Sequence, residues 1–258
     1  LQPPAAGKDG QMELQDRVAV VTGSGRGIGR AIAFELARQG ARVVVAEFAE
    51  YGQEAAEELR ASGADALYVR VDVSDARSVK AMVERVRDVY GAVDILVNNA
   101  GIRPTCPFPA MTLVDWNRVL AVNLTGTFNC CAAATPLMVE RGWGRVVNIS
   151  SLAAQRGSTG GHSHYAAAKA GIVGLSRSLA RELAPHGITV NVVAPGWIDT
   201  QGWGGQLDGR REEYASQVPV GRLGQPEDVA FVVAFLVSDR ASYLTGLTLP
   251  VNGGLFIC

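Results

Sequence analysis

Short apolar segments alternate with longer segments of helical periodicity along almost the whole chain. The apolar segments are rich in β-branched residues, which is typical of strands buried on both faces of a parallel sheet. Seven strands are predicted, at Arg17–Thr22, Arg42–Ala46, Ala66–Val71, Ile95–Asn98, Gly144–Ser150, Thr189–Val193 and Leu247–Val251. Helices are predicted between them, at Ile28–Gln39, Tyr51–Ala61, Ala76–Tyr90, Leu113–Arg141, Tyr165–Ala184 and Glu227–Ser238.

This alternation indicates the fold class. Right-handed strand–helix–strand crossovers place all the strands in one parallel sheet with helices on both faces. We therefore predict a single doubly wound, seven-stranded, Rossmann-like α/β domain over residues 14–258, preceded by a flexible tail at 1–13. The segment 195–225 lacks clear periodicity and leaves the carboxyl edge of the sheet, where ligands bind in such folds, so it is a candidate substrate lid.

Composition and charge narrow the function classes. The chain has 258 residues, and its 24 basic and 25 acidic residues give a net charge of −1. A protein that binds nucleic acid or an anionic membrane normally has a basic excess, so neither partner is expected. No apolar run approaches the ~20 residues of a membrane span and no signal-peptide pattern is visible, so we expect a cytoplasmic protein. Glycine is the outlier, at 30 residues.

A glycine-rich turn connects the first strand to the first helix. Gly23, Gly27 and Gly29 have the spacing G-x-x-x-G-x-G. Glycines let backbone amides approach an anion closely, and the N-terminus of the following helix favours phosphate. A tight turn without a ligand explains the glycines alone, but their place after the first strand favours a nucleotide, and the absence of G-K-[ST] excludes a P-loop. The predicted phosphate-binding residues are Gly23, Ser24, Gly25, Arg26, Gly27, Ile28 and Gly29.

An acidic residue closes the second strand. Glu47 lies about 20 residues beyond the glycines, where an acid can accept hydrogen bonds from the adenosine ribose hydroxyls and repel a 2′-phosphate. This favours NAD over NADP. Arg26 favours the opposite, because a cation in the loop could bind a phosphate, and a solvated acid at a strand end is the alternative without function. Phe48, the next residue, is included in the predicted cofactor site.

Tyr165 and Lys169 are a candidate catalytic pair. They are four residues apart, so both lie on one face of a predicted helix. A free phenol has a pKa near ~10, and a nearby ammonium lowers that pKa by stabilising the phenolate. The pair is therefore suited to moving a proton to or from an alcohol oxygen. Because such a pair also occurs on many surface helices, its weight comes from the motifs around it.

Several further motifs occur in one order along the chain. They are Thr22–Gly29, Asp72-Val73, Asn98-Asn99-Ala100-Gly101, Asn123, Ser150-Ser151, Tyr165 with Lys169, Pro195-Gly196 and Val251-Asn252-Gly253-Gly254. In these motifs the chain resembles the short-chain dehydrogenases/reductases, and the resemblance extends from Leu14 to Gly254. The terminal motif differs from the usual one by carrying Asn252 where the family usually has Asp.

The resemblance implies roles for the residues of the catalytic site. Tyr165 would be the acid–base residue, and Lys169 would lower its pKa and hold the nicotinamide ribose. Ser151 would stabilise charge on the substrate oxygen, and Asn123 would hold a water that continues the proton relay. Ser150 stays an alternative to Ser151, because the spacing from Ser151 to Tyr165 is one residue longer than is common in the family.

The resemblance also implies cofactor contacts outside the glycine loop. Asp72 and Val73 would meet the adenine, and the residues after the fourth strand would line the cofactor. The segment after the sixth strand would meet the nicotinamide amide and the phosphate. The residues of these last two groups are Asn98, Asn99, Ala100 and Gly101, and Pro195, Gly196, Ile198 and Thr200. Trp197, Trp203 and Tyr214, with Leu152, Pro104 and Phe108, predict an apolar substrate pocket, with ordinary lid packing as the alternative.

The expected function is the interconversion of a secondary alcohol and a ketone with NAD(H). The alternative within the family is a 3-oxoacyl-(acyl-carrier-protein) reductase that uses NADPH, against which Glu47 argues. The alternative from another class is a dinucleotide sensor without catalysis, which would not need Asn123, Ser151, Tyr165 and Lys169 together. No metal is expected, because no third ligand joins His162 and His164. The family further implies a homotetramer formed through the helices Leu113–Arg141 and Tyr165–Ala184.

Overall fold

The computed structural model describes residues 13–200 and 209–257. Its strands form one sheet in which every pair of neighbours is parallel, in the order β3-β2-β1-β4-β5-β6-β7. The strands are β1 (Val18–Thr22), β2 (Arg42–Glu47), β3 (Ala66–Arg70), β4 (Ile95–Asn98), β5 (Gly144–Ile149), β6 (Ile188–Pro195) and β7 (Thr248–Val251). The predicted seven-stranded doubly wound fold is confirmed.

Helices cover both faces of the sheet. They are α1 (Gly27–Arg38), α2 (Tyr51–Ala61), α3 (Ala76–Tyr90), α4 (Leu113–Leu120), α5 (Gly126–Arg141), α6 (Ala153–Arg156), α7 (Ser163–Leu183), α8 (Arg211–Ser216) and α9 (Pro226–Val237). One apolar cluster packs α1 and α9 against the sheet through residues such as Leu36 and Val233. A second cluster, on the other face, includes Met82 of α3 and Met138 of α5. The strand order reverses between β1 and β4, which opens a crevice at the carboxyl ends of the strands.

The predicted helix Leu113–Arg141 is continuous but contains a wider turn. Thr112 and Asp115 cap its beginning with reciprocal hydrogen bonds between side chain and backbone. Between α4 and α5, residues Ala121–Thr125 form a single π-helical turn, which places Asn123 fully inside the protein. Such turns inside α-helices frequently occur at functional sites. Leu113, Val114 and Phe128 are exposed on this helix, and the tetramer expected through it stays a prediction.

Two predicted segments lie partly outside the described residues. Leu14 belongs to the core, at 1% exposure, and Glu13 pairs with Arg240 at 3.2 Å, whereas the remainder of the predicted tail is not described. The candidate lid is described at residues 195–200 and 209–225, where Ile198 and Gly224 form an isolated parallel bridge. Trp203 lies outside the described residues. None of the helices in the described part of the chain is long and apolar enough to cross a membrane.

Candidate active site

A cleft of about 1590 Å³ runs along the carboxyl edge of the sheet. Loops after six strands, β1 to β6, contribute to its wall. At one end it is lined by Glu47 and Asp72, and at the other by Trp197 and Tyr214. The residues predicted to be catalytic or cofactor-binding line this one cleft, with three exceptions: Ser24, Gly25 and Asn98. The fold therefore brings together residues that are up to 177 positions apart in the sequence, from Gly23 to Thr200.

The glycine loop packs against the end of β4 without room for side chains. Gly23 has φ +64°, and a Cβ there would lie 2.8 Å from the Cα of Ala100. A Cβ on Gly29 would overlap the carbonyl oxygen of Gly23 and the amide of Asn99. Asn99 holds this contact by donating from Nδ2 to the carbonyl oxygens of Thr22 and Gly23, at 3.0 and 2.9 Å. The glycines thus fix a loop whose backbone faces the cleft.

Ser24 and Gly25 correct the prediction that the whole loop lines the cofactor site. Ser24 is fully buried, and its hydroxyl donates to the carbonyl oxygen of Val21 at 2.6 Å. Gly25 lies against the ring of Tyr51 and donates its backbone N–H to Glu47 at 3.2 Å. Both residues therefore support the loop on the side that does not face the cleft.

Glu47 connects β2 to the glycine loop. Its carboxylate is 7% exposed. One oxygen accepts from the backbone N–H of Gly25, and the other from those of Phe48 and Ala49, at 2.9 and 3.3 Å. The arrangement therefore fixes an acidic side chain at this end of the cleft. Arg26 also lines this end and stacks on Tyr51, 5.0 Å from the ring centroid.

The loop after β3 is held by short hydrogen bonds. Asp72 accepts from the backbone N–H and the hydroxyl of Ser74, at 2.9 and 2.6 Å. Val73 is buried, and its carbonyl oxygen accepts from Nδ2 of Asn129 at 2.9 Å. The two residues form one wall of the cleft beside Glu47.

Asn98 does not line the cleft, contrary to the prediction from the family motif. It is 4% exposed, and its Nδ2 donates to Oδ1 of Asn148 at 2.8 Å and to Sγ of Cys131 at 3.3 Å. It is the last residue of β4, and its side chain points into a helix-covered face of the sheet. Asn99, one residue further on, is the asparagine that meets the glycine loop.

Tyr165 and Ser151 form the centre of the cleft. Tyr165 is half-buried, and its hydroxyl bonds to the side chain of Ser151. Burial raises the pKa of Tyr165, while the hydrogen bond from Ser151 and the positive charge of Arg103 act in the opposite direction. The phenol is therefore held protonated at neutral pH.

Lys169 lies near the Tyr165 ring, and its predicted effect on the pKa of Tyr165 stays a prediction. Its Nζ donates to the carbonyl oxygen of Ile149 at 2.7 Å and lies 5.7 Å from the centroid of the Tyr165 ring. Burial lowers the pKa of Lys169 itself to about 8. In this structure the cation that lowers the pKa of Tyr165 is Arg103. Sequence spacing shows that Lys169 and Tyr165 share a face, but the cost of burying an ammonium depends on the surrounding fold.

The two candidate serines have different partners. The Ser150 hydroxyl is buried and donates to the carbonyl oxygen of Lys169 at 2.8 Å. The Ser151 hydroxyl accepts from the backbone N–H of Ala153 at 3.1 Å and bonds to Tyr165. This geometry favours Ser151 over Ser150 as the serine that meets a substrate oxygen beside Tyr165.

Asn123 presents an unpaired acceptor to the interior of the site. Its Nδ2 donates to the carbonyl oxygens of Ile102 and Val119, at 3.0 and 2.9 Å. Its Oδ1 is buried and has no partner among the described residues. A Cβ on Gly101 would lie 2.5 Å from this oxygen and 3.6 Å from Nζ of Lys169, so both atoms face the same small space. A buried unpaired acceptor of this kind can be satisfied by a water.

Three residues in or beside the site were missed by the sequence reasoning or left without a role. Arg103 lies in the loop after β4 and carried no signal beyond following the Asn98–Gly101 motif. His164 is fully buried, and its Nδ1 accepts the backbone N–H of Tyr165 at 2.9 Å, while burial lowers its pKa. His162 lines the cleft through contacts with Thr159 and Thr105, at 3.0 and 3.2 Å. Across residues 13–200 and 209–257, no three His, Cys, Asp or Glu side chains form a group that could hold a metal.

The predicted apolar pocket is present in part. Trp197 and Tyr214 meet edge to face, with ring centroids 5.0 Å apart, and both line the cleft with Leu152 and Pro104. Phe108 is 71% exposed and lies away from the cleft wall.

The cleft fits a nicotinamide dinucleotide. The glycine loop presents a backbone surface without side chains at Gly23, Gly27 and Gly29, and Glu47 lines the same wall. The unpaired Oδ1 of Asn123 marks a polar interior beside Lys169. The residues that would hold the cofactor are Gly23, Arg26, Gly27, Ile28, Gly29, Glu47, Phe48, Asp72, Val73, Asn99, Ala100, Gly101, Tyr165, Lys169, Pro195, Gly196, Ile198 and Thr200.

Comparisons with known proteins agree with this geometry. A family model described as enoyl-(acyl carrier protein) reductase matches residues 23–256. The 3-oxoacyl-[acyl-carrier-protein] reductase FabG of Staphylococcus aureus (strain Mu50) is 44% identical over 241 residues, covering 93% of this chain and 98% of that protein. FabG of Escherichia coli (strain K12) is 44% identical over 246 residues, covering 95% and 100%.

A solved structure matches equally broadly. The crystal structure of gox2181 superimposes with a TM-score of 0.91 at 38% identity, covering 95% of this chain and 97% of that one. Sequence and structural similarity thus extend over nearly the same residues as the motifs. The chain belongs to the short-chain dehydrogenase/reductase family, and its activity is that of an oxidoreductase.

Proposed function

We propose that this chain reduces the C3 ketone of a 3-oxoacyl thioester to the alcohol, with NADH as the preferred cofactor. The observation that carries the proposal is the similarity to 3-oxoacyl-[acyl-carrier-protein] reductases, at 44% identity over 98–100% of their length. This similarity favours the reductase over the general alcohol dehydrogenase that we expected from the sequence. Glu47 supports NADH, whereas the sequence alternative paired the same substrate with NADPH.

Tyr165 donates the proton in the proposed reaction. Burial raises the pKa of its phenol, so the hydroxyl is protonated at neutral pH and suited to giving a proton to a ketone oxygen. Ser151 bonds the same hydroxyl and donates to the substrate oxygen as negative charge develops on it. When bound, the nicotinamide supplies the hydride. The positive charge of Arg103 then stabilises the phenolate that remains on Tyr165.

Lys169 and Asn123 restore the proton on Tyr165. The pKa of Lys169 is lowered to about 8 by burial, so its ammonium can release a proton near neutral pH at little cost. The unpaired Oδ1 of Asn123 faces the same space as Nζ and would orient a water between the lysine and the interior. The relay therefore runs from this water through Lys169 toward Tyr165.

Glu47 sets the proposed cofactor preference. Its carboxylate is fixed by three backbone N–H groups and cannot turn away without leaving them unpaired. A 2′-phosphate at this position would meet a fixed negative charge, and ribose hydroxyls would meet an acceptor.

The test is a substrate and cofactor panel on the purified chain. The acetoacetyl thioester of N-acetylcysteamine is compared with acetone, cyclohexanone and secondary alcohols, each with NADH or NADPH and the corresponding oxidised cofactors. We expect kcat/KM for the thioester with NADH to exceed that for the simple ketones, and that for NADPH, by at least ~10-fold. A higher kcat/KM for a simple ketone contradicts the substrate assignment, and a higher value with NADPH contradicts the role of Glu47.

The second candidate function is NAD-dependent oxidation of a small secondary alcohol. Glu47 favours this second function, because the similarity to 3-oxoacyl reductases does not account for an acidic residue at the end of the cleft proposed to bind the adenosine ribose. In the same panel this function would give a higher kcat/KM for a small secondary alcohol with NAD than for the thioester in either direction.

A further inference from the structure

Arginines are concentrated at one end of the cleft. The acidic residues in the described part of its wall, Glu47 and Asp72, lie at the opposite end, here called the adenosine end, together with Arg26. The wall beyond Tyr165 is basic in the described part of the chain. Its arginines are Arg103, Arg118, Arg156 and Arg210. A cleft lined by charges of one sign raises the local concentration of ligands of the other sign.

Arg103 and Arg156 lie in neighbouring segments of the cleft wall. Arg103 follows β4, and Arg156 ends α6 in the segment that follows β5. Because β4 and β5 are neighbours in the sheet, these segments lie side by side, with Ser151 at the beginning of the second. Arg103 lies close enough to Tyr165 for its charge to act on the phenol.

Arg156 is held in place by an aromatic contact. Its guanidinium carbon lies 5.4 Å from the centroid of the Trp197 ring, and Trp197 in turn meets the edge of Tyr214. Stacking on an aromatic face orients a guanidinium and leaves its N–H groups available at its edge.

Arg210 provides an internal comparison. It stacks on the other side of the same aromatic pair, 5.1 Å from the Tyr214 centroid, but Glu213 accepts two hydrogen bonds from it at 2.8 Å each. Its charge is therefore neutralised within the protein. Among residues 13–200 and 209–257, no carboxylate forms an ion pair with Arg156.

We propose that the substrate carries an anionic group, a phosphate or a carboxylate, and that Arg156 binds it in the cleft. The inference rests on the proposed reduction of a 3-oxoacyl thioester and narrows its substrate class. Guanidinium groups bind phosphate and carboxylate oxygens through paired hydrogen bonds, which a neutral substrate cannot accept in the same way. The anion belongs either to the carrier arm of the thioester or to the acyl chain itself.

The experiment separates these two sources with three thioesters. Acetoacetyl-coenzyme A carries phosphates on the carrier arm, the 3-oxoadipyl monothioester of N-acetylcysteamine carries a carboxylate on the acyl chain, and acetoacetyl-N-acetylcysteamine carries neither. We expect wild type to prefer one of the two anionic substrates over the neutral one by at least ~10-fold in kcat/KM, because a charge-assisted hydrogen bond contributes about that factor. The preferred member identifies the source of the anion.

Variants then assign the preference to Arg156. Arg156→Gln should lower the ratio of anionic to neutral kcat/KM by ~10-fold through a higher KM, and Arg156→Lys should retain part of it. Arg210→Gln, which removes an arginine from the same wall, should leave the ratio within about twofold because Glu213 already neutralises it.

Two results would overturn the inference. In the first, wild type reduces the neutral and both anionic thioesters equally well. In the second, Arg156→Gln and Arg210→Gln change the ratio to the same extent. If wild type reduces no thioester but reduces simple ketones, the proposed function is wrong. The role of Arg156 is then tested by the ratio of kcat/KM for acetoacetate, which carries a carboxylate, to that for methyl acetoacetate, which does not.

Discussion

The adenosine end and the substrate end of the cleft are built in different ways. At the adenosine end, backbone groups form the surface: the glycine loop packs against Ala100, and Glu47 is tied to three backbone N–H groups. At the substrate end, the wall consists of side chains from loops and short helices, with Trp197 in contact with both Arg156 and Tyr214.

This difference distinguishes cofactor binding, which members of the family share, from substrate recognition, which differs between members. A backbone surface without side chains recognises phosphates and ribose, which do not vary between members that use the same cofactor. Side chains in loops can be replaced with little effect on the sheet, so they determine the substrate. The catalytic residues lie between the two ends, on α7 and after β5, where rigid elements position them.

Tyr165→Phe tests whether the centre of the cleft is independent of the adenosine end. We expect kcat to fall by about 10³–10⁴-fold, since the general acid is lost. The dissociation constant for NADH, measured by fluorescence titration, should stay within about twofold, because a phenyl ring preserves the packing. Tyr243→Phe, at a fully exposed tyrosine, is the control. A large loss of NADH affinity in Tyr165→Phe would show that the residue holds the cofactor rather than the proton.

Glu47→Gln tests the charge at the adenosine end. The amide retains an acceptor oxygen for the backbone N–H groups but lacks the negative charge, so we expect the NADP-to-NAD ratio of kcat/KM to rise by about 10–100-fold. The substrate preference at the other end should not change. Glu50→Gln, at an exposed acid outside the cleft, is the control, and an unchanged cofactor ratio in Glu47→Gln would refute the ribose assignment.

Gly29→Ala tests whether the adenosine end depends on backbone packing. The new Cβ would overlap the Gly23 carbonyl oxygen, so the loop must shift. We expect the free energy of unfolding to fall by about 1–3 kcal/mol, with weaker NADH binding. Gly174→Ala places its Cβ in open space within α7 and should instead be neutral or stabilising by about 0.5–1 kcal/mol. Denaturant unfolding measures both, and equal effects of the two variants would contradict the packing argument.

Lys169→Met tests the cost of burying an ammonium at the centre of the cleft. The pKa of Lys169 is about 8 in the folded chain and higher when unfolded, so the unfolded state binds more protons between these values. The free energy of unfolding of wild type must therefore rise with pH across this window, from about pH 8 to about 10.5.

At pH 7 the buried lysine destabilises the fold, and Lys169→Met should be inactive yet more stable by about 1–2 kcal/mol. The gain should shrink as the pH rises through about 10.5, because wild-type Lys169 then becomes neutral in both states. Urea unfolding at pH 7 and pH 10 makes the comparison. Destabilisation at pH 7 would show that the ammonium contributes to folding through its bond to Ile149.

The fold and the adenosine end could be predicted from the sequence because regular patterns encode them. Buried parallel strands produce continuous β-branched segments, and close backbone approach leaves glycine at Gly23 and Gly29. The orientation of Asn98 could not be predicted in the same way. Asn98 and Asn99 are identical neighbours, and only the position at which β4 ends determines which of them meets the glycine loop. Family similarity, rather than any pattern in the chain, supports the proposed substrate class.

The substrate end was less predictable for physical reasons. Arg103 and Arg156 lie in loops or at the end of a short helix, where no periodicity indicates which side chain faces the cleft. The π-helical turn that buries Asn123 has no sequence signature within the apolar helix. The lowered pKa of Lys169 arises from burial by the complete fold, which its spacing from Tyr165 does not reveal.

The most direct test of the proposed reaction is transfer of an isotopic label. The purified chain is incubated with acetoacetyl-N-acetylcysteamine and NADH deuterated at C4 of the nicotinamide, and the product is analysed by mass spectrometry and proton NMR. The account predicts 3-hydroxybutyryl thioester of a single chirality with one deuterium on C3. Unchanged thioester, in a preparation that reduces a simple ketone with the same cofactor, would contradict it.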